Sequence, residues 1–258
     1  MNNLDLKNIV EELLDTFLEA GKIAKEISRR GVKITIKADK SPVTDGDLAV
    51  DQLLKDKITY LTPDIPIISE ETVSIGIENQ NKNFWLIDPI DGTKDYINKK
   101  DEYTLNAALI INLEPAVGIV YAPAKDRLFF SYEKGLTFEI HNGEKTTLNC
   151  KKINTNETIA LANSDKTPSE IMDIYKQYKV SQIIRMSSSL KFCVLAAGEA
   201  DIYAAKARAF EWDIAAGHAI LEHAGGLITT FEGKKFLYGK EDYKNSTIIA
   251  KRSLGLEK

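Results

Sequence analysis

Carboxylates stand at the ends of short apolar runs. In Trp85-Leu86-Ile87-Asp88-Pro89-Ile90-Asp91-Gly92-Thr93 a buried-type strand leads into two aspartates flanking a proline. Pro89 fixes its own φ and biases Asp88 toward extended backbone. Gly92 permits unusual backbone angles and close approach of a ligand. A helical turn starting at Thr93 would turn free N–H groups toward an anion. Magnesium takes oxygen ligands, commonly a few carboxylates plus substrate phosphate oxygens. Asp-Pro and Asp-Gly are also ordinary turn dipeptides, but the whole nine-residue string favours function.

Three further acids join this argument. Glu70, in Ser69-Glu70-Glu71, follows another short apolar run and could complete a metal site with Asp88. Alone, the pair reads as solvated acids opening a loop. Glu211-Trp212-Asp213-Ile214-Ala215-Ala216-Gly217 puts Asp213 at the N-cap position of an apolar helix. The small residues after it suggest a helix start pressed against a strand or a ligand. Asp47, three residues after Thr44, reads by itself as the second arm of a capping box.

Other chemistries lack support. The chain has no G-x-G-x-x-G, Walker A or G-x-S-x-G string. His141, His218 and His223 do not form H-E-x-x-H, and the last two read as structural residues on a helix. A net charge of −4 without a dominant basic patch makes a nucleic-acid duplex a poor partner. A small anionic substrate would need a local attractor, which a bound cation supplies. Cys150 and Cys193 are too few for a disulfide framework and fit a reducing cytoplasm. No transmembrane segment is expected, because no run approaches the ~20 apolar residues a span needs. The first residues do not read as a signal peptide, and peripheral membrane attachment is left open.

The elements that must position these acids follow from periodicity. Over 258 residues, 43% hydrophobic and 28% charged, the chain can bury a good core as one large domain or two small ones. Leu4 to Arg29 has apolar residues at helical spacing, with Gly31 ending the helix. Ile34 to Ile36 suggests a strand, Ala38 to Pro42 a loop, and Thr44 to Leu61 a second helix. Ile67-Ile68 starts a strand, and strand-like runs follow at Phe84–Ile87, Leu105–Ile111, Val117–Tyr121, Leu128–Ser131 and Leu136–Ile140, these five as expected of an antiparallel sheet packed on the two helices. From Lys151 strands and helices alternate: Thr158–Ala162, Ser169–Tyr178, Ile183-Ile184, Ser189–Gly198, Ile202–Ala205 and Ile214–Ala224. This predicts an α+β half over residues 1–150, carrying most metal ligands, and an α/β half over 151–258, carrying Asp213.

Taken together, Pro42-Val43-Thr44-Asp45-Gly46-Asp47, Ser69-Glu70-Glu71, Asp88-Pro89-Ile90-Asp91-Gly92-Thr93 and Trp212-Asp213-Ile214-Ala215-Ala216-Gly217 resemble the signature strings of the inositol monophosphatase superfamily, in its order. The resemblance runs from the first helix to Gly225-Gly226. A fifth string, Ser187-Ser188-Ser189-Leu190-Lys191-Phe192-Cys193, is similar to that of the CysQ branch, as is Thr93-Lys94-Asp95-Tyr96. That branch removes the 3′-phosphate of adenosine 3′,5′-bisphosphate. Lys191 alone also reads as a solvent-facing helix lysine.

The resemblance implies a layered α/β/α/β/α sandwich of the inositol monophosphatase and fructose bisphosphatase type. It implies a phosphomonoesterase using two or three Mg2+ ions, sensitive to lithium, with adenosine 3′,5′-bisphosphate as the small-molecule partner. Glu70, Asp88 and the Ile90 carbonyl would hold one ion, and Asp88, Asp91 and Asp213 a second. Glu71 would support the metal site. Gly92 and Thr93 would offer N–H groups to the phosphate, and Thr93 with Asp47 would take a proton from the attacking water. Ser188, Ser189 and Lys191 would contact the nucleotide, with the C-terminal half supplying those contacts. Inositol 1-phosphate or another sugar monophosphate is the alternative substrate. A non-catalytic cation-binding protein is a third reading, and a homodimer is left open.

Overall fold

The amphipathic start of the chain folds as α1 (Leu6–Arg30), whose buried stripe includes Ile9, Val10, Leu13, Phe17 and Ala20. Asp5 caps it, its carboxylate accepting the Asn8 N–H at 3.0 Å. This is a computed structural model describing residues 4–37, 40–74, 76, 81–150, 157–164 and 166–253. A short antiparallel hairpin, β1 (Ile34–Ile36) and β2 (Pro42–Thr44), follows. Ala38 and Asp39 of the predicted loop lie outside the described residues. Thr44 then caps α2 (Asp45–Leu61), and both arms of the expected capping box are made.

Next come β3 (Ile67–Ser69), β4 (Phe84–Asp91), the short α3 (Thr93–Ile97), β5 (Thr104–Ile111), β6 (Glu114–Ala122), β7 (Arg127–Glu133), β8 (Leu136–His141) and β9 (Glu144–Thr147). The seven strands form one sheet in chain order, antiparallel except where β3 runs parallel to β4. One face, with Trp85, Ile87, Leu105, Leu109 and Ile119, packs on α1 and α2. The alternate residues, including Phe84, Leu86, Ile110 and Val120, face the other way. Helices cover both faces, so β4 reads as a continuous apolar run. β9 went unpredicted because all four of its residues are exposed and none is apolar.

The rest of the chain supplies β10 (Ile159–Ala162), α4 (Ser169–Gln177), β11 (Gln182–Arg185), α5 (Leu190–Ala196), β12 (Ile202–Ala205), α6 (Ala215–His223), β13 (Leu227–Thr229) and β14 (Ile248–Lys251). Its five-stranded sheet has the order β11-β10-β12-β14-β13, with β10 parallel to both neighbours and β14 antiparallel to both. Residues 151–156, where the predicted second half begins, lie outside the described residues. α5 and α6 pack between the two sheets, and α4 contributes Ile171 and Tyr175 to the outer face of the second. The layers are therefore α/β/α/β/α, the sandwich the sequence resemblance implied.

One close approach fixes α6 in this stack. A Cβ on Gly118 of β6 would stand 2.2 Å from the Ala216 carbonyl oxygen. The run Ala215-Ala216-Gly217 is small because the helix start lies against strand backbone, and against Phe192 of α5. Both cysteines are buried and free. No helix among the described residues is long and apolar enough to cross a membrane.

Candidate active site

Parallel pairing of β3 and β4 brings two acids to one sheet edge. Ser69 of β3 stands opposite Ile87 of β4, and the Glu70 N–H donates to the Ile87 carbonyl at 3.1 Å. Beyond Ile87, β4 pairs Asp88 with Asn106 and Asp91 with Thr104, and the register shifts between them. Pro89, which has no N–H to give a ladder, sits in that irregularity. Asp213 comes from a 3₁₀ turn, Glu211–Asp213, just before α6. The sequence reading placed Asp213 as N-cap of α6; that position belongs to Ile214, whose side chain makes no cap bond. The Asp213 Oδ2 instead accepts the Phe210 N–H at 2.8 Å, bracing the preceding turn.

Glu70, Asp88 and Asp213 each offer an oxygen within 4.8 Å of the others. Burial, then the charges of Glu70 and Asp91, push the Asp88 carboxyl well above its ordinary range. Burial, then Asp91 and Glu70, do the same for Asp213. Asp91 is raised to about 6 by burial, against the pull of Lys191 and the Ser189 N–H. Asp88 Oδ1 is buried without a hydrogen-bond partner. Buried acceptors are normally satisfied, and an all-oxygen set of like charges is stabilised by a hard divalent cation. The residues present therefore fit such an ion.

Around this cluster the catalytic candidates are held by backbone. Gly92 is left-handed at φ 93°, and a Cβ there would meet the Glu102 carbonyl oxygen at 3.0 Å. This starts α3, so the predicted helical turn at Thr93 exists. The Thr93 hydroxyl lies 3.1 Å from the Ile90 carbonyl and 3.4 Å from Asp47 Oδ1. Asp47 Oδ2 accepts the Thr44 N–H at 2.7 Å and its hydroxyl at 2.5 Å. Burial raises the Asp47 carboxyl, the Thr44 bonds oppose this, and Glu70 adds to it. Capping and contact with Thr93 are thus two uses of one side chain.

Lys37, which no sequence signal marked, and the serine and lysine residues of the sequence strings complete the surroundings. Lys37, beyond β1, places its ammonium 2.8 Å from Glu71 and 3.3 Å from Glu70. Ser69 donates to Asp51 at 2.5 Å and accepts the Glu71 N–H at 3.3 Å, fixing the acidic pair. Ser187 ties its loop to Asp95 and Glu102. The Ser189 N–H donates to Asp91 at 2.5 Å, and the Ser189 hydroxyl bonds Asn106 and Thr104. Ser189 therefore supports the acids from behind. Lys191 is not solvent-facing: it is buried, its ammonium donates to the Ser188 carbonyl, and it lies 5.2 Å from the Tyr203 ring centroid. Burial lowers it to about 8, with Asp91 opposing.

Beside the carboxylates opens a cavity of about 340 Å³. Asp91, Gly92 and Asp213 line it together with Ser188, Lys191 and Arg208. The model of the inositol monophosphatase family matches residues 5–256. The chain belongs to the inositol monophosphatase family. Among its relatives in that family, 3′(2′),5′-bisphosphate nucleotidase CysQ of Buchnera aphidicola is 35% identical over 90% of each chain. The Escherichia coli K12 protein of the same name is 33% identical over 80% of this chain and 82% of its own. Among solved structures, CysQ from Bacteroides thetaiotaomicron superposes with a TM-score of 0.79 at 28% identity, over 97% of this chain and 98% of that one. An inositol monophosphatase from Thermotoga maritima gives 0.74 at 25% identity, over 95% and 92%. The family is metal-dependent, and the carboxylates of Glu70, Asp88 and Asp213 form a group that could hold a metal ion.

Proposed function

We propose that this chain is a 3′(2′),5′-bisphosphate nucleotidase that hydrolyses the 3′-phosphate of adenosine 3′,5′-bisphosphate to AMP and phosphate. The observation that carries this is the cluster of Glu70, Asp88 and Asp213 opening beside a cavity that is also lined by cations. Relatives named for this activity, aligned over 80% or more of the chain, support it. Glu70, Asp88, Asp91, Asp213 and the Ile90 carbonyl would hold two or three magnesium ions, with Glu71 supporting them. When bound, such ions offset charge on the phosphoryl oxygens and acidify nearby water.

The chain's own groups do the rest. Gly92 and Thr93, at the start of a helical turn, have N–H groups without intrahelical partners to orient the phosphate. The Thr93 hydroxyl positions the attacking water, and Asp47 behind it takes the proton. Burial raises Asp47, which improves it as a base near neutral pH. Ser188 and Lys191 face the nucleotide from the cavity wall, while Ser189 holds Asp91 in place.

The test is phosphate release from adenosine 3′,5′-bisphosphate, inositol 1-phosphate and fructose 1,6-bisphosphate, each with and without magnesium. A preference for the adenosine bisphosphate that disappears without magnesium is expected. Preference for either sugar phosphate would keep the acidic centre and discard the nucleotide. No release from any of the three would favour a cation-binding protein without activity.

A further inference from the structure

The larger cavity has a neighbour. A second cavity of about 200 Å³ shares Asn163, Ala205, Lys206 and Arg208 with it but none of its acids. Those four residues mark the side where the two adjoin, and no carboxylate among the described residues lines the smaller one. Lys206 follows β12 and pairs with Glu170 at 2.6 Å. Arg208, two residues on, makes no hydrogen bond or ion pair among the described residues. Its charge nevertheless reaches the cavity interior, because it helps hold down the proton affinity of Lys191 and Tyr203.

A substrate that places one phosphate on the carboxylate centre must find countercharge for any second anionic group elsewhere. Lys191 is already committed to the Ser188 carbonyl and to the field of Asp91. Lys206 is committed to Glu170. Arg208 retains its donors, and a guanidinium suits a phosphate because it can give two parallel N–H bonds. We infer that Arg208 is the specificity-determining contact for the second phosphate of a nucleoside bisphosphate, seated where the two cavities adjoin. This rests on the nucleotidase reading above. Lys206 has a lesser part, since its ion pair must open before it can bind an anion.

The experiment compares adenosine 3′,5′-bisphosphate with adenosine 3′-monophosphate, which lacks the second phosphate. In Arg208→Gln the ratio of kcat/KM for the bisphosphate over the monophosphate should fall roughly ten- to a hundredfold, the range expected for a charge-assisted hydrogen bond. The loss should lie in KM rather than kcat, and Arg208→Lys should restore part of it. Lys206→Gln should move the ratio less. Calorimetry with adenosine 5′-monophosphate gives a readout independent of turnover: its affinity should fall in Arg208→Gln by a similar factor, while that of adenosine does not. A ratio unchanged within twofold, or equal losses of adenosine and adenosine 5′-monophosphate, would overturn the role of Arg208 while leaving the nucleotidase reading intact. If the wild-type enzyme uses neither nucleotide, that reading fails and the inference falls with it.

Discussion

The cavity has an acidic wall and a basic wall, and they are built differently. Asp91 ends a strand inside a seven-stranded sheet, while Asp213 is braced by the turn that precedes a docked helix. Lys206 and Arg208 are exposed and lie on the stretch that follows β12. The acids are positioned by backbone pairing and held against their own repulsion. The cations keep their hydration and need little structure to hold them. A centre for bond-breaking tolerates little displacement, whereas recognition of an anion in high dielectric tolerates more and is weakened by salt.

The largest expected effect breaks the acidic wall. In Asp88→Asn, phosphate release should fall by more than about a hundredfold, since even supporting residues of metal sites cost ten- to a hundredfold. The same variant, stripped of metal, should melt higher than the wild type, because a buried carboxyl crowded by like charges becomes a neutral amide. Lower melting without metal would mean that Asp88 is stabilised by something other than a cation.

Thr93→Ala and Asp47→Asn should each reduce turnover about a hundredfold or more, the usual worth of a placed proton acceptor. Magnesium binding followed by calorimetry should survive in both. Full activity in either variant would remove that side chain from the proton path.

A smaller effect is expected at Lys37, whose ammonium supplies positive charge to Glu70 and Glu71. Lys37→Gln should tighten magnesium binding several-fold, because like charge near a cation site opposes a second cation. Weaker binding would show that Lys37 helps shape the site rather than competing for it.

The last effect is in pH. Asp91 titrates at about 6 in the folded chain, against about 3.9 when unfolded. The folded state therefore binds the proton more tightly, and stability falls as pH rises through this window. Without metal, Asp91→Asn should melt higher than the wild type above about pH 6, and the gap should close toward pH 4. A gap independent of pH would place the difference in packing instead.

What the sequence disclosed follows the same division. Glu70, Asp88 and Asp91 end apolar runs, so period and composition point to them. Thr93 was marked by the turn after Gly92, but its pairing with Asp47 was visible only through the family strings, since a capping box accounts for Asp47 alone. Lys37 and Arg208 are single cations outside any regular element, and nothing in their neighbours marks them. The major strands were legible because their faces are buried. β9 is wholly polar, β13 is three residues long, and β14 follows a stretch without periodicity, so none was predicted. The bonds of Ser189 to Asp91, Asn106 and Thr104 were not legible, because a side chain's distant partners cannot be read from its neighbours in sequence.

The docking of Ala216 on Gly118 also bears on how the chain emerges during synthesis. Glu70, Asp88 and Asp91 are made early, together with the sheet face that carries Phe84, Leu86 and Ile110. The helices that cover this face, Leu190–Ala196 and Ala215–His223, come off the ribosome late. A nascent chain therefore holds an uncovered apolar face beside an incomplete set of acids, a state prone to association. The Ala215 helix covers part of this face and stands directly after Asp213, so the carboxylate cluster is completed only as this part of the core is.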